Sequence, residues 1–431
     1  MLPSGDGLRG YRPGPWSCED GGPARRQVPA SGPRGLGIGS GDRLEVTARE
    51  VMAATMVVTR DPGEVYLLRH TGGDDAVCAV ERLDPVTLDP LATSGELAGG
   101  PAWPGSVAAH ADGSLHVVFG NHAHRLGPDL SLLASRQLPR RLPYNGFVVL
   151  DDGTLVTKDF GGSRPGAPVA ATERRPCQLV ALEPEGLEVV GTCDLPEPSI
   201  ARLSADGDTV YVVGDTSLLR VRWDRDAGFA PDDGFRSVYR TEDGQGYGWD
   251  CVLAAGAAWF LDDGDGSERY DGTLRGHGVA TAPLHLVRVD LGTGAVATAE
   301  ICGLPGGLVA NPPVVDGERT VAVGYDSGNG VLAAFTDGAD GSLAPRWRRD
   351  QSHAPHLVLF PATGELVTGD FDAVRGAEQV VVLDVDTGAE LARADTGSPL
   401  QSVLFPAVGF DRDLYLCSFS TVTRVAVRPA G

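Results

Sequence analysis

Residues 353–397, HAPHLVLFPATGELVTGDFDAVRGAEQVVVLDVDTGAELARADTG, decide the fold. The stretch divides into four short runs: HLVLF, then ELVTGDF after an Ala-Thr-Gly turn, then EQVVVLDV, then ELARADT after an Asp-Thr-Gly turn. Period-two apolar runs separated by Gly and Asp turn residues are strands joined by hairpins. A four-stranded antiparallel unit of about 45 residues is one blade of a β-propeller, so the rest of the chain is expected to hold degenerate copies of it.

Working outward, a first-to-second-strand hairpin turn recurs at Asp61-Pro62-Gly63, Asp112-Gly113, Asp152-Gly153, Asp206-Gly207, Ala255-Gly256, Asp316-Gly317, Thr363-Gly364 and, more loosely, Phe410-Asp411-Arg412-Asp413. Each lies between short apolar strands, as in VAAHADGSLHVVF and FVVLDDGTLVTKDF. These hairpins predict an all-β propeller of eight four-stranded blades, or seven if one is an insertion, forming a single domain over residues 43–431. The last unit has only three strands, and RLEVTAREV at 43–51 is the strand available to complete it. Residues 1–42 are rich in Gly, Pro, Ser and Arg without a hydrophobic period and are expected to be a disordered tail.

A second turn series marks the third-to-fourth-strand connection near Asp84, Glu183, Asp290 and Leu383. Its members Asp290-Leu291-Gly292-Thr293-Gly294 and Val385-Asp386-Thr387-Gly388 resemble the x-D-x-x-T-G repeats of the quinoprotein-dehydrogenase-like and YVTN-type propeller superfamily. The resemblance covers most of residues 43–428 and implies architecture alone, because these motifs are turn chemistry. A quinone-dependent dehydrogenase like the best-known members would show adjacent cysteines and a tryptophan closing most repeats. The chain has neither, so PQQ is not expected.

Composition narrows the partners. The formal charge, 36 − 58 = −22, repels nucleic acid and anionic lipid, so neither nucleic acid nor membrane is an expected partner. Seven scattered cysteines without a C-x-x-C pair indicate no disulfide framework and no zinc site. The start of the chain lacks the apolar core of a signal peptide and no run approaches the length of a membrane span, so a soluble cytoplasmic protein is the expectation. G-x-S-x-G, Walker A and Rossmann fingerprints are missing, which disfavours serine hydrolysis and nucleotide use.

In a propeller, the start of each innermost strand and the end of each second strand emerge on one face around the central channel. That rule gathers Tyr144, Asn145, Lys158, Asp159, Arg202, Trp249, Asp250, Asn311, His353, His356 and Gln401 onto one polar, acidic rim. His353 is expected as the acid/base with Asp250 or Asp159 as its partner or as a metal ligand. Tyr144, Asn145, Lys158, Arg202, Trp249, Asn311, His356 and Gln401 are expected to bind substrate. Asp262 and Asp263 are the candidate ligands for Mg or Ca, against the plainer reading of a solvated acidic loop. Two insertions on the same face, 160–177 and 262–283, read as lids or binding loops. Their Arg174, Arg175, Arg269, Arg275 and His277 would suit an anionic substrate. The expected function is a small-molecule lyase, isomerase or hydrolase at the channel mouth; the alternative is a non-catalytic interaction scaffold.

Overall fold

The computed structural model describes residues 8–162, 174–262, 264, 270–401 and 405–430. Eight antiparallel sheets follow one another around a ring. Their innermost strands are Ala54–Thr59, Ser106–Ala109, Tyr144–Val149, Ser204–Asp206, Val252–Ala254, Val314–Asp316, Val358–Phe360 and Ala407–Val408, and blades 1 to 8 are numbered in that order. The first blade carries one extra strand, Leu97–Gly100, paired to Ala76–Leu83.

The second strand Ala257–Leu261 is buried along its whole length, which is why it reads as a continuous apolar run. Outermost strands such as Val296–Glu300 alternate between exposed and half-buried positions, as one solvated face requires. Blade 8 is closed by the strand Arg43–Glu50, which pairs antiparallel with Thr421–Arg428 from Arg43 opposite Arg428 to Glu50 opposite Thr421. The expected closure by an N-terminal strand therefore holds, and it gives blade 8 four strands like blades 2 to 7.

The third-to-fourth-strand turns share one hydrogen-bond pattern. The Asp290 carboxylate accepts the amides of Gly292 and Thr293, and the Asp384 carboxylate accepts the Thr387 amide and hydroxyl. Gly294 and Gly388 then take positive φ, 73° and 70°. In blades 1 and 3 the same place holds Leu88 and Leu187, at φ 65° and 60°, and their amides still reach back to Asp84 and Glu183.

Residues 8–42 depart from the expectation of a tail without structure. They lie across the channel end where the innermost strands finish. The Ala109, Ala205, Leu253 and Leu359 amides donate to Ser17, Pro23, Ala24 and Gln27 carbonyls, and the Val149 amide donates to the Tyr11 hydroxyl. Thr59 receives the segment through Trp16, Gln27 Nε2 donates to Pro313 O, and Arg412 holds Gly37 O. Every blade is thus tied to this segment, and Tyr11, Trp16 and Leu36 are buried in it. Its order comes from pairing with eight strand ends, a source that leaves no local hydrophobic period. No helix among the described residues is long and apolar enough to cross a membrane.

Candidate functional site

Around the other channel mouth, most of the predicted rim residues tie one blade to the next. Asn145 donates to Ile200 O and Lys158 Nζ donates to Ser199 O (3.1 Å) and to Asp159 O (3.0 Å), joining blade 3 to the segment that leads into blade 4. Asn311 donates to Ala354 O, and Gln401 Nε2 donates to Ser352 O (3.0 Å). Tyr144, buried, receives the Arg140 amide on its hydroxyl. Each of these polar side chains is buried and satisfied by backbone, as buried polar groups must be.

The predicted carboxylates divide between two roles. Asp159 accepts the Gln178 amide (2.6 Å) and Arg140 Nη1 (3.0 Å). Asp262 accepts the His285 amide (2.6 Å), its Nδ1 (2.8 Å) and Gln245 Nε2 (2.7 Å). Gln178 and His285 open the third strands of blades 3 and 5, so both carboxylates staple the feet of the two insertions. Asp262 is thereby filled with protein donors, and Asp263 lies outside the described residues. Among the described residues, no group of three or more His, Cys, Asp or Glu is arranged to hold a metal.

Asp250 belongs instead to a charged network in the channel, together with Arg202 and His356. The Arg202 amide donates to Asp250 Oδ1 (2.6 Å), while Arg202 Nη1 and Arg25 Nη1 lie 3.7 and 3.9 Å from Asp250 Oδ2. Arg25 Nη1 bridges Glu19 Oε1 and Asp20 Oδ2, both at 2.6 Å, and Arg202 Nε stands 2.9 Å from Glu19 Oε1. His356 Nδ1 meets Asp20 Oδ1 at 2.6 Å. A cavity with room for about one water lies beside Glu19 and Arg25. Glu19, Asp20 and Arg25 come from the N-terminal segment, and Asp20 and Arg25 hold left-handed backbone at φ 54° and 52°. Non-glycine residues keep such a conformation only where the surroundings enforce it.

His353 and His356 have different chemistry. The Gly369 amide donates to His353 Nδ1 (3.1 Å), so the neutral ring carries its proton on Nε2. Burial pushes the His353 imidazolium down to about 3, which leaves this ring a hydrogen-bond donor and removes it as a proton acceptor near neutrality. His356 is turned the other way. Burial alone would raise the Asp20 carboxyl, but His356 and Arg25 together hold it below its ordinary value. Asp20 accepts from Nδ1–H, which leaves Nε2 as the ring nitrogen without a partner. His353, Asp250 and Asp159 therefore do not form one unit, and the histidine with a carboxylate partner is His356, through Asp20.

An aromatic layer lies outside this network. Trp103 stacks on Phe160 with ring centres 4.4 Å apart, and Trp249 and Tyr247 pack in the same cluster. The Arg174 guanidinium sits 3.9 Å over the Tyr247 ring and pairs with Asp215. The described part of the blade-5 insertion arches over blades 6 to 8. Tyr270 donates to Gln401 O (2.7 Å), the Leu274 amide donates to Gln401 Oε1 (2.7 Å), the Gly276 amide to Gly328 O (2.9 Å), and Arg275 pairs with Asp350 (2.8 Å). Trp249 Nε1, Asp250 Oδ2, Tyr325 Oη, His353 Nε2 and His356 Nε2 are each buried without a hydrogen-bond partner. Tyr325 stands edge-on to His353 with ring centres 4.4 Å apart. The sequence reasoning missed Glu19, Asp20, Arg25 and Tyr325; the Trp16-Ser17-Cys18-Glu19-Asp20 run, unusual for a disordered tail, was the available signal.

No known protein family matches the chain, and no curated protein matches it. Solved structures do. The quinohemoprotein alcohol dehydrogenase from Comamonas testosteroni is 11% identical, with a TM-score of 0.58 over 95% of this chain and 80% of that one. The computationally designed Ika8 protein is 12% identical, with a TM-score of 0.52 over 86% of this chain and 96% of that one. Apo AztD from Citrobacter koseri is 12% identical, with a TM-score of 0.50 over 83% of this chain and 96% of that one. At such identities the likeness shows the fold alone. By blade number and strand order the chain is an eight-bladed β-propeller, and its similarity to these structures lies in that fold.

Proposed function

We propose that the protein processes a small polar molecule at the channel mouth by acid–base chemistry of the lyase, isomerase or hydrolase kind, with His356 as the proton-transfer group. The observation that carries this reading is the Asp20–His356 pair, 2.6 Å apart, whose imidazole Nε2 is buried and without a partner. A carboxylate on Nδ1 fixes the tautomer and orientation of the ring and stabilises the imidazolium when Nε2 takes a proton. His353 Nε2–H, Trp249 Nε1–H and Tyr325 supply neutral hydrogen-bond donors alongside it, suited to an oxygen on which charge develops.

The test is a thermal-shift screen of the full chain against a metabolite library, followed by turnover of the hits read by NMR. His356→Gln is expected to keep binding and to lose turnover by about 10²- to 10⁴-fold, with Asp20→Asn in between. A library without a single binder, or turnover untouched in His356→Gln, would sink the reading. One observation favours a scaffold instead: Leu132 and Leu133 in blade 2, and Val190 in blade 3, are each half exposed on the outermost strands of adjacent blades. A scaffold predicts a silent library.

A further inference from the structure

The geometry points to a specific substrate class: a small molecule bearing an amine together with a carbonyl or hydroxyl oxygen, and not an anion. This rests on the channel site proposed above and names what it accepts. The first observation is that the positive charges of the channel are committed. Arg25 gives Nη1 to Glu19 and Asp20 and Nε to Leu203 O (2.7 Å). Arg202 faces Glu19 with Nε, gives Nη2 to Pro104 O (3.1 Å) and lies 4.5 Å over the Phe405 ring. Three carboxylates, Glu19, Asp20 and Asp250, stand against these two guanidiniums, so an incoming carboxylate or phosphate would find no free cation. The net charge of −22 opposes its approach as well.

The second observation is what remains unmatched. Asp250 Oδ2 is a buried carboxylate oxygen that accepts no hydrogen bond, the Arg202 and Arg25 guanidiniums standing off at 3.7 and 3.9 Å, and an ammonium group supplies that hydrogen bond. Next to Asp250 in the chain is Trp249, within the aromatic layer of Phe160, Trp103 and Tyr247. Aromatic faces joined to a carboxylate are the setting in which cations are held. The protein uses that setting for its own cations, as where Arg174 lies over Tyr247 and pairs with Asp215. The indole N–H of Trp249 and the Nε2–H of His353 call for an acceptor oxygen on the same molecule. Among the described residues of the insertions, Arg174 is paired with Asp215 and Arg275 with Asp350.

The experiment compares probes matched in size and differing in charge, added at millimolar concentration to the full chain: ethanolamine and glucosamine, ethylene glycol and glucose, glycolate and glucose 6-phosphate. Stabilisation is expected from the amine pair, weaker or none from the neutral pair, and none from the anions. Asp250→Asn is expected to weaken amine binding at least about tenfold. Should that variant fail to fold, Trp249→Phe, which removes the indole N–H and keeps a ring, is expected to weaken binding of the same amines. Shifts confined to the anions would overturn the amine assignment and leave the channel site standing. Silence of both amines also overturns it, and hits elsewhere in the metabolite library then show that the class alone was wrong. Amine binding unchanged in Asp250→Asn overturns the assignment of that carboxylate.

Discussion

Leu88 and Leu187 keep the left-handed turn conformation that Gly294 and Gly388 keep without strain, and the reason is burial. Both leucine side chains are buried in the core beneath their turns, whereas a β-carbon on Gly388 would come within 2.8 Å of the Trp347 ring. Left-handed backbone costs a leucine about 1–2 kcal/mol, and deleting a buried leucine costs about 2–5 kcal/mol. Leu187→Gly is therefore expected to destabilise by about 2 kcal/mol despite relieving the backbone, measured by urea unfolding. Gly388→Ala is expected to destabilise too, through Trp347. Asp262 gives a second residue-scale prediction. Asp262→Ala strands three buried donors, on His285 and Gln245, and is expected to cost about 3 kcal/mol or more. Asp262→Asn, which retains acceptor capacity, should cost less.

At the scale of elements, two truncations separate closure from filling. A chain starting at Met52 loses the strand Arg43–Glu50 and its whole register with Thr421–Arg428, and it is expected to lose cooperative unfolding. A chain starting at Arg43 keeps that strand and loses only the channel segment. It is expected to remain folded but to be less stable by about 5 kcal/mol or more, since Tyr11, Trp16 and Leu36 lose their burial. Equal thermal stability of the full chain and both truncations would contradict this division. The blade-5 insertion is pinned where a β-carbon on Gly278 would lie 2.0 Å from Gly306 O and 2.3 Å from Gly307 O. Gly278→Ala is expected to lift it, seen as faster proteolysis between residues 270 and 283.

What could be read beforehand follows the same division. Strands and turns were legible because period two and the Asp-Gly punctuation are local, and the eight repeats reinforced one another. The rim was legible as a set of residues but not as chemistry. Whether His353 or His356 offers a free Nε2 depends on Gly369, 16 residues on, and on Asp20, 336 residues back. The order of residues 8–42 was illegible for the same reason, since the partners of Arg25 and Gln27 lie 178 and 286 residues away, at Leu203 and Pro313.

For the whole molecule, buried histidines set the response to acid. Burial holds His116 and His353 down to about 3 and His124 down to about 4, against an ordinary value near 6.5. Their folded values are depressed, so the unfolded chain binds protons that the folded chain refuses between about pH 6.5 and pH 4. Stability therefore falls as pH drops through that window, by about 4 kcal/mol per pH unit at its steepest. His285 works the other way: burial lowers it, but Asp262 raises it further, so its contribution is present below the unfolded value and is lost as pH rises through the folded one. Burial lowers His70 as well, so one group against four leaves the sign unchanged. The urea midpoint is expected to drop sharply between pH 7 and pH 5, and His116→Gln to flatten that drop by about a third.

The segment that closes the channel has a consequence in time. Residues 8–42 leave the ribosome before any blade exists, yet their partners run from Thr59 to Arg412, so a stretch made ahead of the blades is the last that can settle. Until the eighth sheet forms, this stretch waits beside a growing, incomplete ring. A nascent chain halted after the seventh sheet should therefore be cut readily near Arg25 and Arg26 by trypsin, while the released, finished protein is cut there slowly.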